Sequence, residues 1–279
     1  RNKLKKDFYF KQTNSLKANN PNRWWKTIKS LCGITSNKSY TVFSNMYCYK
    51  QPIDPASLAN VINNFFLTCT DNVPIFDTER LDELRDNLGQ VPDEFIVSEY
   101  CVFRALSRLK VNKALGTDGL PNKLLKCLAE LFASPLCAII NSSIRCGEVP
   151  IQWKVARVSP VPKVSPPVNV ECDLRPISIT SSLAKVAESF MCRHFNNYFQ
   201  PYLDKNQFGC TANRSTILAL IKFSHYLFTS MDRLDNFGRI LFIDFSKAFD
   251  LIDHNILFRK FTELNFPPHI TVWFLSFFT

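Results

Sequence analysis

A chain of 279 residues with 46% hydrophobic side chains can bury a sizeable core in one large or two small domains. Its net charge of +10 points to a polyanionic partner, while no apolar run approaches the roughly 18 residues of a membrane span and no secretory leader pattern is present. The ten cysteines lie 9 to 32 residues apart between Cys32 and Cys210 with no C-x-x-C pair, and the four histidines are scattered, which favours reduced, mostly buried thiols in an intracellular protein over a zinc or disulfide framework.

The chain opens on Arg1 where a complete protein would open on Met, as expected of a fragment or processed product. Residues 1–30 carry nine basic side chains against Asp7, a balance of +8, interleaved with Phe8, Tyr9, Phe10, Trp24 and Trp25. Rings among cations suit a nucleic acid, whose bases stack on them, although such an arm can also be a solvated tail. An amphipathic helix is predicted over 56–67. Residues 71–99 carry nine acids against Arg80 and Arg85. With Pro74, Gly89 and Pro92, residues 71–97 read as an acidic linker holding one short helix.

From Ser98 the pattern sharpens. Ser98 suits an N-cap, and Val102, Ala105, Leu106 and Leu109 make a helical stripe. Residues 112–121 read NKALGTDGLP, in which Asp118-Gly119 marks a turn and Pro121 opens a helix through Leu124, Leu125 and Leu128. Ser134-Pro135 is predicted to start the next helix and Gly147 to close it. Residues 153–163 (WKVARVSPVPK) and 173–188 (DLRPISITSSLAKVAE) predict a hairpin with a cation on each arm, Lys163 and Arg175. Those cations are either solvated charges or a polyphosphate clamp, since guanidinium forks onto phosphate and ammonium acts as a point charge. Leu183, Val186, Ala187, Phe190, Phe195, Tyr198 and Tyr202 then give a long apolar helical face. Residues 207–216 read QFGCTANRST, with Ser215 as a helix cap. His254 suits a helix start, and Pro267-Pro268 begins a final helix.

Residues 239–250, RILFIDFSKAFD, organise the rest. Ile240, Leu241, Phe242 and Ile243 predict a strand covered on both faces, delivering Asp244 to the rim of a dry sheet. A carboxylate there needs a partner or a metal. Asp244 can be a helix N-cap after a core strand. A nucleoside-triphosphatase would want a G-x-x-x-x-G-K-[ST] loop, which is absent, and a phosphoaspartate enzyme would want a second Asp where Ser246 stands. The remaining reading is a polymerase carboxylate for two divalent ions.

The spacing of Asp244, Ala248 and Phe249 resembles the F-x-D-x-x-x-A-F-D motif of non-LTR, jockey-type retrotransposon reverse transcriptases. Four further stretches resemble the same family in the same order: 112–121 its KAPGPDGI signature, the Pro162-Lys163 and Arg175-Pro176-Ile177 arms its fingers hairpin, 207–216 its QFGFRKGRST stretch, and Asp250 to Leu257 its D-x-V-D-H-x-x-L continuation. The resemblance implies an α+β fold, with right-hand fingers and a partial palm preceded by a helical extension. Residues 1–70 are then a basic helical N-terminal extension, 71–97 the acidic linker, and 98–279 the fingers and partial palm, cut before the Ala-Asp-Asp motif. It implies an RNA-directed DNA polymerase that uses Mg2+ or Mn2+, an RNA template, a DNA primer and deoxynucleoside triphosphates, located in nucleus and cytoplasm. Asp244 would be catalytic and would bind metal together with the backbone carbonyl of Phe245, while Lys163, Arg175 and Phe249 would meet the incoming nucleotide.

This copy departs from the family pattern. Leu115 and Thr117 replace prolines, Cys210 replaces an aromatic, and Thr211, Ala212 and Asn213 replace a basic cluster. With the second carboxylate motif missing, the segment alone is expected to be inactive. Two readings stay open: a segment of a working polymerase, or a catalytically dead retroelement remnant that at most binds RNA.

Overall fold

The computed structural model describes residue 43 and residues 46–232 and 237–279. The basic arm at 1–30 lies outside the described residues. In chain order the elements are β1 (Tyr47–Cys48), β2 (Gln51–Pro52), α1 (Leu58–Thr68), α2 (Glu79–Asp86), α3 (Glu99–Ser107), α4 (Asn122–Cys127), α5 (Ala129–Cys146), α6 (Ile151–Lys154), β3 (Arg157–Pro162), α7 (Val170–Asp173), β4 (Leu174–Ile179), α8 (Ser182–Phe199), α9 (Thr216–Met231), α10 (His254–Glu263) and α11 (Pro268–Leu275). Short 3-10 turns occupy Asp93–Phe95, Gln200–Tyr202 and Ser276–Phe278. Many helices and few strands make this an α+β chain, and the described strands form two separate two-stranded sheets, β1 with β2 and β3 with β4.

The chain divides into two compact units, one of Arg1–Asn63 and Val161–Arg175, the other of Asn64–Pro160 and Pro176–Thr279. In the first, β1 and β2 pair antiparallel with Tyr47 opposite Pro52, and the turn between them puts Tyr49 and Lys50 at positive φ. The Tyr47 amide donates to the Val168 carbonyl at 2.8 Å, and the Tyr49 amide donates to the Glu171 carboxylate. Met46, Val170 and Leu174 are buried.

The main core belongs to the second unit. Val102 and Leu106 of α3 pack with Leu136, Ile140 and Ile144 of α5, Ala187 and Met191 of α8, and Ile270 and Trp273 of α11. Ser98 caps α3 by accepting from the Cys101 amide at 3.3 Å, and the predicted stripe is the face that packs. Gly147 closes α5 at φ +62. A Cβ there would stand 2.6 Å from Val272 Cγ1, so glycine serves both the left-handed cap and the close approach of α11.

Two expectations shift. α5 begins at Ala129 and runs through Pro135, whereas Ser134-Pro135 was predicted to start it. Pro135 and Leu131, whose carbonyl the missing amide would have met, are both exposed, so water can serve that carbonyl. Residues 71–97, predicted as linker, belong to the second unit and bring Phe76, Leu81, Phe95 and Val97 into burial. The acids of α2 face solvent while Leu81, fully buried, joins Val272 and Leu275. Charge density masked the few apolar anchors that dock this segment.

Candidate functional site

The first unit holds the cationic end of the β3–β4 hairpin. The Lys163 amide donates to the Asp173 carbonyl at 2.7 Å, closing the sheet one residue past β3. Its Nζ donates to the Cys172 carbonyl, also at 2.7 Å, which leaves the exposed ammonium two further donors. Asp173 organises the intervening loop by accepting from the amides of Asn169 at 2.8 Å and Val168 at 2.9 Å. Those amides hold its carboxyl below the usual aspartate value, a small desolvation opposes them, and the Lys163 charge adds to them. Arg175 is exposed on β4 and has no hydrogen-bond or ion-pair partner among the described residues. The hairpin therefore presents a fork of guanidinium donors and an ammonium, the donor set suited to phosphate oxygens.

In the second unit, the family-like loop at 112–121 is pinned from two sides. Arg157 Nη2 donates to the Leu115 carbonyl at 3.2 Å. Ser181 Oγ donates to Asp118 Oδ2 at 2.5 Å while accepting the Leu183 amide at 3.1 Å as the cap of α8. Gly116 lies so close to this cap that a Cβ would meet Ser181 Cα at 2.7 Å. Gly119 takes φ +67 and its amide donates to the Gly116 carbonyl at 3.2 Å, the turn that Asp118-Gly119 predicts.

Asp244 is placed differently from the prediction. Residues 240–243 form no strand, and Ile240, Leu241, Phe242 and Ile243 are exposed, Phe242 by 85%. A strand requires a neighbour to take up its amides and carbonyls, and no described strand lies beside this run. Asp244 is consequently solvated and accepts no hydrogen bond from any described residue, so the burial cost that made it conspicuous in the sequence does not arise here. Phe245 and Phe249 are exposed as well. The following turn is built on Lys247 at φ +50, whose carbonyl accepts from the amides of Asp250 at 3.0 Å and Leu251 at 3.2 Å. Asp253 then caps α10 by accepting from the Asn255 amide at 2.8 Å.

Among the described residues no group of three or more His, Cys, Asp or Glu could hold a metal ion. Asp244 and the Phe245 carbonyl are one carboxylate and one neutral oxygen, too few to build a two-ion site. The donor set does not fit the group on its own.

A feature missed in the sequence lies at the start of α9. The guanidinium of Arg214 sits 5.2 Å and the ammonium of Lys222 6.0 Å from the centre of the Phe208 ring. Phe208 and Lys222, with Asn206, Ala219, Phe223 and Tyr226, line a cavity of about 350 Å³. Phe208 and Arg214 were singled out by their motif. Lys222 was not, although Ala219, Lys222, Phe223 and Tyr226 form an i, i+3, i+4, i+7 set that periodicity alone could have exposed. Cations over a ring beside exposed aromatics make a surface on which a flat, anionic ligand can stack.

Residues 161–278 match the family described as reverse transcriptase (RNA-dependent DNA polymerase). The chain is 28% identical over 221 residues to "Probable RNA-directed DNA polymerase from transposon BS" of Drosophila melanogaster, covering 77% of this chain and 24% of that protein. It is 28% identical over 182 residues to "Probable RNA-directed DNA polymerase from transposon X-element" of the same species, 63% of this chain and 20% of the other. With "RNA-directed DNA polymerase from mobile element jockey" of D. melanogaster it shares 27% identity over 175 residues, 62% and 19% respectively. The chain thus spans at most about a quarter of the length of these relatives. The stretch that matches the reverse transcriptase family, residues 161–278, holds Lys163, Arg175 and Asp244.

Proposed function

We propose that this chain is the fingers and first palm segment of an RNA-directed DNA polymerase of a non-LTR retrotransposon. The observation that carries the proposal is the family match over 161–278, which encloses the hairpin cations and the Asp244 motif in family order. Lys163 and Arg175 would hold the triphosphate of an incoming deoxynucleotide, and Phe249 would lie beneath its sugar. Reverse transcriptases use divalent ions, and Asp244 with the Phe245 carbonyl would contribute to holding one. The remaining carboxylates of such a site would come from outside the described residues.

The test is primer extension by the protein in which this chain is embedded, using a DNA primer on an RNA template with magnesium. Asp244→Asn should abolish extension and leave template binding intact. Extension unaffected by Asp244→Asn would refute the assignment. A wild-type protein that binds RNA but never extends a primer would support the remnant reading instead.

A further inference from the structure

The turn that follows Asp244 is held by a contact between two nucleophiles. Lys247 Nζ donates to Cys69 Sγ at 3.0 Å, while the Cys69 thiol itself donates to the Phe65 carbonyl at 3.2 Å. The thiol hydrogen is thereby turned away, and a sulfur lone pair faces the ammonium. The ammonium also lies 5.1 Å from the centre of the Phe65 ring. Cys69 directly follows the last residue of α1, where a cation is favoured by the exposed carbonyls of the helix end. Electrostatics thus explains why Lys247 docks there, and the docking holds an amine nitrogen in contact with a sulfur.

We propose that Cys69 and Lys247 form a reversible oxidative cross-link, a sulfenamide, when the protein meets a peroxide. The chemistry balances in two steps. The Cys69 thiol gives up its proton as its sulfur attacks hydrogen peroxide; an S–O bond forms, the O–O bond breaks, and the departing hydroxide takes up that proton to leave as water, giving sulfenic acid with sulfur oxidised and peroxide oxygen reduced. Lys247, after giving one proton to solvent, attacks that sulfur; the S–N bond forms, the S–OH bond breaks, and hydroxide leaves as water with the second amine proton. The net change is thiol plus amine plus peroxide giving sulfenamide plus two waters. Handing sulfenic acid to a neighbouring nitrogen is an established fate of that species, and here the nitrogen is already in place. Cys69 is half-buried and Lys247 exposed, so peroxide can reach the pair. Cys127, Cys146, Cys172, Cys192 and Cys210 are exposed, against the expectation of mostly buried thiols, yet none of their sulfurs accepts from a lysine among the described residues. The link would tie the turn after Asp244 to the end of α1, and it stands independently of the polymerase reading.

The experiment is peroxide treatment of the full 279-residue chain followed by mass mapping of proteolytic peptides. The expected product joins the Cys69 and Lys247 peptides with a net loss of two hydrogens, and dithiothreitol separates them again. Lys247→Arg, which keeps the cation but removes the nucleophilic amine, should abolish the joined species and leave Cys69 oxidised or reduced but unlinked. Wild-type protein unfolded in urea before oxidation should lose the link, because the contact exists only in the fold. The proposal is overturned if Cys69 ends as sulfinic acid or in a disulfide with no Lys247 peptide attached, or if it couples equally to other lysines. The wild-type mapping decides the matter even where a variant fails to fold.

Discussion

Asn141 holds the peptide of Val97 at both ends: its Oδ1 accepts the Val97 amide at 2.8 Å and its Nδ2 donates to the Val97 carbonyl at 2.8 Å. Both residues are buried, and the Cys137 thiol donates to the same carbonyl at 3.1 Å. One side chain on α5 therefore does for residue 97 what a neighbouring strand would do, and it fixes the chain as it enters α3. Asn141→Ala should cost about 2–4 kcal/mol, because a buried amide is orphaned and a carbonyl loses its better partner. Ser142→Ala, one position along and exposed, should stay within about 0.5 kcal/mol. Urea melts of the two variants check this, and equal midpoints would refute it.

Gly116 yields a second prediction. Its added Cβ would meet Ser181 Cα at 2.7 Å and the Thr180 carbonyl oxygen at 2.9 Å, both backbone atoms that cannot swing aside. Gly116→Ala should destabilise by about 1–3 kcal/mol, as overpacking does. Gly89→Ala, where a Cβ would meet nothing within 4 Å, provides the contrast. Thermal melts suffice, and a neutral Gly116→Ala would mean that the loop at 112–121 sits away from the cap of α8.

These two sites show which parts of the fold the sequence discloses. The caps at Ser98 and Ser215 were legible because a cap is set among four neighbouring residues. The Asp118-Gly119 turn was legible for the same reason. The closeness of Gly116 to Ser181 was not, since nothing within a few residues of Gly116 announces a partner 65 positions away. Residues 240–243 mark the reverse limit: their composition favours a strand, but a strand is a relation between two segments, and the second is not among the described strands. In the candidate site, Lys163 and Arg175 were placed on one hairpin by local pattern. Lys222 escaped because it belongs to a helical face and not to a motif.

Two histidines give the fold a pH dependence of defined sign. Burial pushes His194 below the ordinary histidine value, opposed by Glu94 and aided by Arg193. Burial likewise lowers His254 against the pull of Asp253. Their rings pack on aromatics: His194 edge-on to Phe95 at 5.0 Å and His254 stacked on Phe278 at 3.8 Å. As their folded values lie below the unfolded ones, the unfolded chain takes up protons first on acidification. Their stabilisation is complete above the ordinary histidine value of about 6.5 and is lost as pH falls through the folded values. Melting temperature should therefore drop over this range, and His194→Phe or His254→Phe should flatten the slope. Glu188, pushed up by burial against the pull of Lys185, acts with the opposite sign, so the comparison is between variants at each pH. A slope unchanged in both variants would refute the assignment.

Phe249 separates stability from selectivity. It is 87% exposed and so contributes little to the core. Truncating it removes few contacts, and Phe249→Val should move the stability of this chain by no more than about 0.5 kcal/mol. Phe261, buried among Phe195 and Phe266, is the internal comparison, and Phe261→Ala should cost about 3–5 kcal/mol. In the proposed polymerase, an exposed ring five residues after Asp244 is free to lie against a nucleotide sugar. A flat ring there offers a 2′-hydroxyl no hydrogen bond and blocks it sterically, which is discrimination by clash. Phe249→Val in the protein that contains this chain should then raise ribonucleotide incorporation relative to deoxyribonucleotide, with melting unchanged. Paired single-nucleotide extensions measure the ratio. A stable variant with an unaltered ratio would remove Phe249 from the nucleotide site, and a variant that melts early would show that the ring packs against the fold after all.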